Sequence, residues 1–209
     1  ITVVSIVNDS LQVTLTNGNT INAGLVSGGN TGLEEITEGP NTGYRIAGRD
    51  AANYGDIGAN AVDLSISASP STSRGASGNY STAIGWYTTA SGNYSTAMGG
   101  GTTASGNYST AMGLGTRAYG ISSFAMGSYT EASANNSTAM GYYTEASGLQ
   151  STAMGNYTDA TGPFSTSMGA NTRASGQSST AMGQKTIASD LYSTAMGFET
   201  IASSVSSTA

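Results

Sequence analysis

Hydrophobic and polar residues recur every fourteen residues from Ala76 to the last residue, without an insertion or a deletion. If Ala76 and its copies are place one, each complete repeat has Ser at place six, a large apolar residue at place nine and Gly at place ten. The segment Ser-Thr-Ala-Met-Gly at places six to ten alternates small and larger side chains, which predicts a β-strand with two different faces. This unit is too short for a pair of helices and fits one coil of a β-solenoid, with two strands of about five residues and two corners.

The two faces of this strand predict the inside and the outside of the coil. Only small side chains fit in so narrow a coil, so we expect Ser81, Ala83 and their copies to lie inside. The outer face then carries one large apolar residue in each coil, a surface that a soluble monomer rarely exposes. Three identical chains around a common axis would cover this column, so the pattern predicts a homotrimer. The predicted trimer interface is Ile84, Met98, Met112, Met126, Met140, Met154, Met168, Met182 and Met196.

Glycine is expected to form both corners of the coil. Place ten is Gly in every complete repeat, from Gly85 to Gly197, and several repeats have a Ser-Gly pair at places two and three, such as Ser77-Gly78. Gly adopts positive φ without steric cost, and Ser bonds to nearby backbone groups. We therefore predict one tight turn at the Gly column and another at the Ser-Gly pairs.

The residues before the repeats follow two other patterns. Alternating apolar residues in the segment 1–24 predict strands, and Asn17-Gly18 between them is a strong hairpin signal. A Gly-rich hinge follows up to residue 32. We therefore predict that 1–32 is a β-hairpin module with its hinge.

The segment 33–75 holds most of the charged residues at irregular spacing. We interpret it as a non-repetitive capping segment, because the open end of a β-coil presents unpaired strands that terminal caps usually cover. Within it, Val62 falls on place one when the period is extended backwards, which predicts a degenerate first coil at residues 60–65. The third predicted domain is the repeat region 76–209.

Place fourteen carries a column of charges in five successive repeats. Arg117 and Arg173 flank three carboxylates that would stack about 4.8 Å apart. The carboxylates are Glu131, Glu145 and Asp159. A divalent cation could bridge them, which makes them a candidate metal site, although the extra oxygen ligands that calcium prefers are missing. The alternative is a solvated charge column neutralised by the two arginines.

Aromatic residues cluster at variable places of the repeat. Flat rings can dock sugars or protein partners, but they can also stack as ladders between coils, and both interpretations stay open. One such column is Tyr80, Tyr94 and Tyr108. The candidate ligand surface is Trp86, Tyr87, Tyr129, Tyr142, Tyr143 and Tyr157.

Threonine fills place thirteen without interruption from Thr88 to Thr200. If this column lies on the surface, its regular spacing could order water, as in ice-binding solenoids. A flat ice-binding face usually has two parallel rows of threonines, and the repeat offers one.

Composition removes several classes of function. The chain has 209 residues with 30 Gly, no Cys and no His, so it lacks the commonest general base, a thiol nucleophile and most transition-metal ligands. We predict that it is not an enzyme and has no cofactor. Its net charge of -6 gives no electrostatic footprint for nucleic acid, and no apolar run is long enough for membrane insertion within this segment.

The repeated Ser-Thr-Ala-Met-Gly, followed by two variable residues, Thr, one more residue and Ala-Ser-Gly, resembles the head repeat of trimeric autotransporter adhesins of the YadA type. The resemblance implies a left-handed parallel β-roll, a homotrimer and a place on bacterial surfaces. Met stands at place nine where that family more often has Ile. The N-terminal hairpin resembles short β modules of phage and phage-like tail fibres. The chain starts at Ile1 and stops where the next Met-Gly is due, so we expect the native protein to extend further.

Two functions follow from these resemblances. The first is a non-enzymatic trimeric adhesive fibre, a bacterial surface or secreted adhesin that holds binding surfaces away from the cell. The alternative is a structural or receptor-binding tail fibre of a phage or phage-like injection particle. In both cases we expect an extracellular protein whose partners are itself and a protein or glycan on a host or prey cell.

Overall fold

A computed structural model describes residues 3–7, 10–14, 20–25 and 32–209, and in the first three segments only the backbone. The chain divides into two compact units. One consists of residues 1–34 and 46–48, and the other of residues 35–45 and 49–209. Within the described residues, no helix has the length and apolar character needed to cross a membrane.

The first unit contains a three-stranded antiparallel sheet. Strand β1 (Val3–Val7) pairs with β2 (Ser10–Thr14), and β2 pairs with β3 (Thr20–Leu25). The alternating segment therefore forms strands. The predicted turn at Asn17-Gly18 and the hinge residues 28–31 lie outside the described residues.

The second unit is built from two sheets that run along the repeats. Strands β4 (Leu33–Glu38), β5 (Asn41–Ile46) and β6 (Val62–Ile66) begin a 12-stranded sheet, and a 3-10 helix at Ala51–Asn53 separates β5 from β6. The sheet continues with one long strand per repeat: Thr82–Trp86, Thr96–Gly100, Thr110–Leu114, Phe124–Ser128, Thr138–Tyr142, Thr152–Asn156, Thr166–Ala170, Thr180–Gln184 and Thr194–Phe198. A 10-stranded sheet consists of short strands: Gly75–Ala76, Thr89–Ala90, Thr103–Ala104, Arg117–Ala118, Glu131–Ala132, Glu145–Ala146, Asp159–Ala160, Arg173–Ala174, Ile187–Ala188 and Ile201–Ala202.

Successive repeats stack in parallel and in register, so that each residue lies beside its copy in the next coil. Met98, for example, lies between Ile84 and Met112 in the long-strand sheet. The short strands are aligned in the same way, with Ala104 between Ala90 and Ala118. The predicted all-β, parallel solenoid of 14-residue coils is confirmed.

The interior of the coil is a column of small side chains. Ala83 and its copies are fully buried, and Ser81 is 1% exposed, as predicted from the two faces of the long strand. The short strands add Ala90 and its copies from the opposite side. Ser167 replaces the usual Ala at place eight, and its Oγ lies 2.7 Å from Thr172 Oγ1 in the interior.

The second side of the coil differs from the prediction. Only places fourteen and one form a strand there, as in Thr89–Ala90, instead of a run of about five residues. The chain then enters a tight turn in which the Ser95 N–H donates to the Gly92 carbonyl oxygen at 3.2 Å. Because this turn takes up places three to six, no room is left for a second long strand.

One corner lies at the predicted Ser-Gly pairs, because the turn begins at a Gly such as Gly92, but the other lies at place twelve and not at the place-ten Gly column. Positive φ occurs at places five and twelve, for example at Tyr94 (58°) and Tyr87 (54°). Gly92 of a Ser-Gly pair is not in this region, and it is Gly because a Cβ there would overlap the carbonyl oxygen of Gly106. The place-ten column does have positive φ, 115° at Gly85, but it lies within the long strand and not at a corner.

The threonine column at place thirteen faces the interior. Thr88, Thr102 and their copies up to Thr186 are at most 2% exposed, and only Thr200 in the last coil is partly open. The ice-binding hypothesis is therefore wrong, since this column forms no surface. The backbone changes direction at each corner, so the alternation of inward and outward side chains in the long strand does not continue unchanged into the short strand.

Strand β6 belongs to an additional coil before the first repeat, but its position relative to the repeat places differs from the prediction. Val62 pairs with Thr82 at place seven, twenty residues further on, and not with place one. The longer connection after β6 is held by Arg74, whose Nη1 donates to Ser67 Oγ at 3.0 Å and to Ser69 Oγ at 2.8 Å. The period therefore does not extend backwards past Ala76.

A buried ion group stands at the start of the alanine column. Arg45 is 3% exposed, its Nε donates to Asp63 Oδ2 at 3.3 Å and its Nη1 to Glu38 Oε1 at 3.1 Å. Asp63 is fully buried, and its Oδ1 also accepts from the Ser65 hydroxyl at 2.6 Å. Arg45 pairs with Asp63, and Asp63 with Ala83, so charged side chains take the inward place of later alanines. The capping role of residues 33–75 stays a prediction.

Candidate interaction surfaces

The large apolar residues at place nine form one outward column on the long-strand sheet. All nine residues from Ile84 to Met196 align in register, and most are partly buried by their neighbours. Met98 and Met196 are more open, at 37% and 53% exposed. The residues at place seven, mostly Thr, flank this column on the same face, and their side chains are partly buried. The assignment of this column to a trimer interface stays a prediction.

The tyrosines at place five stack as a ladder along the solenoid. The rings of Tyr80 and Tyr94 lie 4.9 Å apart and nearly parallel, and those of Tyr94 and Tyr108 lie 5.1 Å apart. The ring faces between neighbouring tyrosines contact one another, although each of the three residues is more than half exposed. A sugar therefore cannot stack between two rings of the ladder.

The candidate ligand surface separates into two patches. In the first, the Trp86 and Tyr87 rings lie 4.1 Å apart, and the Arg74 guanidinium lies 3.9 Å from the centroid of Tyr87. In the next coil, Gly100 and Gly101 stand at the equivalent places, so the aromatic column is interrupted. The first patch is therefore separated from the second by a coil without aromatic residues at these places.

The second patch is a ladder of three tyrosines at place twelve with one tyrosine beside it. Ring centroids are 5.0 Å apart for Tyr129 and Tyr143 and 5.2 Å apart for Tyr143 and Tyr157. Tyr142 meets Tyr143 and Tyr157 edge-on. Partial desolvation raises the pKa of the Tyr142 hydroxyl, and the neighbouring Tyr157 and Tyr129 raise it further. The ladder interpretation describes how these rings pack, and a ligand role for their outer edges stays a prediction.

The charge column at place fourteen is formed as the repeat predicts. Glu131, Glu145 and Asp159 lie side by side on adjacent short strands, with Arg117 and Arg173 at the two ends. The Arg117 guanidinium is 3.9 Å from the Glu131 carboxylate. Within the described residues, no group of three His, Cys, Asp or Glu side chains is arranged to hold a metal ion. Cation binding by these carboxylates stays a prediction.

The three neighbouring carboxylates of this column repel one another. Burial raises the pKa of the Asp159 carboxyl, and the neighbouring Glu145 raises it further, while Arg173 opposes both effects. The central carboxylate, Glu145, is exposed and lies between two other acidic residues. The column is therefore a site where a positive charge is favoured.

The structure brings the tyrosine ladder and the carboxylates together around one cavity of about 300 Å³. The two columns were predicted as separate features, but places twelve and fourteen flank the same inward threonine, so their side chains lie next to each other. The alternation of side-chain direction at places twelve, thirteen and fourteen is the sequence signal that could have predicted that the two columns are neighbours. The lining residues are Tyr129, Glu131, Tyr143, Thr144, Glu145, Tyr157 and Asp159.

Comparison with protein-family models gives one match, described as the YadA head domain repeat (2 copies). The match covers most of the repeat region, in the segments 76–88, 90–116, 118–144, 146–172 and 174–200. Comparison with curated proteins gives no match.

Proposed function

The chain belongs to the YadA head repeat family, and from this premise we propose that it is the head of a non-enzymatic, trimeric adhesive fibre. The fibre holds its outer surfaces away from the producing cell, where they contact a protein or glycan on another cell. Three chains give three equivalent copies of each surface, which raises overall avidity without new contacts.

The observation that carries this proposal is the outward apolar column at place nine. One large apolar residue per coil, aligned in register over the long-strand sheet, is a surface that a soluble monomer rarely exposes. Two further copies of the chain fit it best, because a three-fold axis parallel to the column would bring each methionine against its own copies. These side chains are already partly buried, so each would contribute roughly 1 kcal/mol when covered.

Replacement of Met140 by Lys is expected to shift the trimer to monomer. A charge in the middle of the column would be buried in the interface without a partner, at a cost of several kcal/mol. Sedimentation equilibrium measures the change. Thr103→Glu is the matched control, because it adds a charge at place fourteen, where Glu131 and Glu145 already stand. A parent chain that sediments as a monomer would contradict the trimer.

Immunogold electron microscopy of the producing culture tests the adhesive role. With an antibody to the repeat region, we expect gold on the cell envelope or on filaments that leave it. The second candidate, a tail fibre of a phage or phage-like particle, is favoured by the antiparallel sheet of β1, β2 and β3, which come before the solenoid in the sequence. Gold on particle tails would replace the first candidate with the second, and gold in the cytoplasm would contradict both.

A further inference from the structure

The cavity between the tyrosine ladder and the carboxylates is built by one chain from three successive coils. Two rows of side chains line its wall. One row consists of the tyrosine rings at place twelve, and the other of the carboxylates at place fourteen. Both rows run along the solenoid axis. An inference about its ligand therefore goes beyond the proposed function, and the site needs no residue of a second chain.

The spacing of the two rows is set by the stacking of the coils. Tyr129, Tyr143 and Tyr157 have ring centroids 5.0 and 5.2 Å apart. The carboxylates stand on adjacent parallel strands, which are about 4.8 Å apart. The cavity thus presents a negative charge about every 5 Å beside a continuous edge of aromatic carbon and hydroxyl groups.

The three tyrosines are not required by the backbone of the corner. The same place has φ of 54° at Asn171 and at Lys185, and it is Gly101 in an earlier coil. A bulky residue in this left-handed region is less favourable than Asn or Gly. The corner would therefore form equally well without aromatic rings, and the ladder is a property of this surface.

We propose that this cavity binds a linear polyamine, a flexible chain of methylene groups carrying ammonium groups at regular intervals. Three methylenes between two amines give four single bonds, which span about 5 Å when extended. Each ammonium can then lie against one carboxylate while the methylene segments contact the ring edges. Ammonium groups also donate hydrogen bonds to phenol oxygens, and charge-assisted bonds of this kind are the stronger ones.

Other occupants fit these rows less well. A divalent metal needs several oxygens around one point, and no such group exists in the described residues. An anionic ligand would face three carboxylates. An uncharged sugar would gain nothing from the charge of the carboxylates, and the stacked rings offer it mainly edges, because their inner faces contact one another.

Titration calorimetry with spermine on the intact chain tests the proposal. We expect spermine to bind at least tenfold more tightly than butylamine or magnesium chloride, with affinity that falls as salt is raised. Glu145→Gln is expected to weaken binding about tenfold, as expected for the loss of one charge-assisted hydrogen bond. Asp56→Asn is the matched control, because it removes the same charge at an exposed residue that does not line the cavity.

A second pair of variants tests the aromatic row without disturbing the corner. Tyr143→Asn introduces the residue type that already occupies this place at Asn171, so the corner should still form. We expect this variant to bind spermine severalfold more weakly. Tyr94→Asn in the other ladder should have no effect. Equal affinity for spermine and magnesium, or unchanged affinity in Glu145→Gln, would overturn the proposal.

Discussion

Replacement of Gly141 by Ala is expected to lower the free energy of unfolding by about 4 kcal/mol. Gly141 has φ of 131°, a region that L residues rarely adopt, and strain there costs about 1–3 kcal/mol. An added Cβ would also overlap the carbonyl oxygen of Gly155 in the next coil. Relieving this overlap would push the two strands apart, which costs a further ~1–3 kcal/mol.

Urea unfolding followed by far-ultraviolet circular dichroism measures this change, and Gly101→Asn is its control. Gly101 also has positive φ, 61°, but an added Cβ there meets no atom within 4 Å. Its equivalents Tyr87 and Asn171 already carry side chains, so this variant should stay within about 1 kcal/mol of the parent. If Gly141→Ala were as stable as Gly101→Asn, close stacking at place ten would not be the reason for its glycine.

Replacement of Asp63 by Ala is expected to destabilise the chain by about 3–5 kcal/mol. The change leaves the Arg45 guanidinium, which is 3% exposed, with only Glu38 as an acidic partner. It also removes the acceptor of the Ser65 hydroxyl and N–H. Thermal unfolding measures the loss, and it should begin with β5 and β6, which this ion group joins.

An exposed ion pair provides the comparison for Asp63. Lys185 Nζ lies 2.7 Å from Glu199 Oε1, closer than the atoms of the buried pair, but both side chains are more than half exposed. Glu199→Ala should therefore change stability by less than about 1 kcal/mol. Equal effects of the two substitutions would mean that burial does not determine the contribution of Arg45 and Asp63.

The place-six to place-ten segment shows why much of the fold could be predicted. Within one strand, side chains alternate between the two faces. Ser81 and Ala83 are small and Thr82 and Ile84 are larger, which indicates that the face with Ser81 and Ala83 points into the narrow interior. Copying this choice in every repeat predicts stacked coils in register. No knowledge of contacts between coils is needed for that step.

The structure differs from the predictions where the chain turns. The threonines at place thirteen face inward, which the ice-binding hypothesis did not anticipate, because residues with positive φ such as Tyr87 reverse the faces between the two strands. The predicted phase of Val62 is wrong because this residue pairs with Thr82, twenty residues further on, so the coil between them is longer than the others. Such changes in backbone direction and length leave no trace in a periodic pattern.

By itself, the sequence determined a parallel β-solenoid with small residues inside and an apolar column outside, because both follow from the period and from side-chain volume. The tertiary structure decided which outward columns meet. Tyr143 and Glu145 line one cavity only because the corner turns place thirteen inward between them. It also brought Arg45 to Asp63, eighteen residues away, because β5 and β6 pair side by side. Contacts of this kind depend on the path of the backbone in space, which periodicity does not describe.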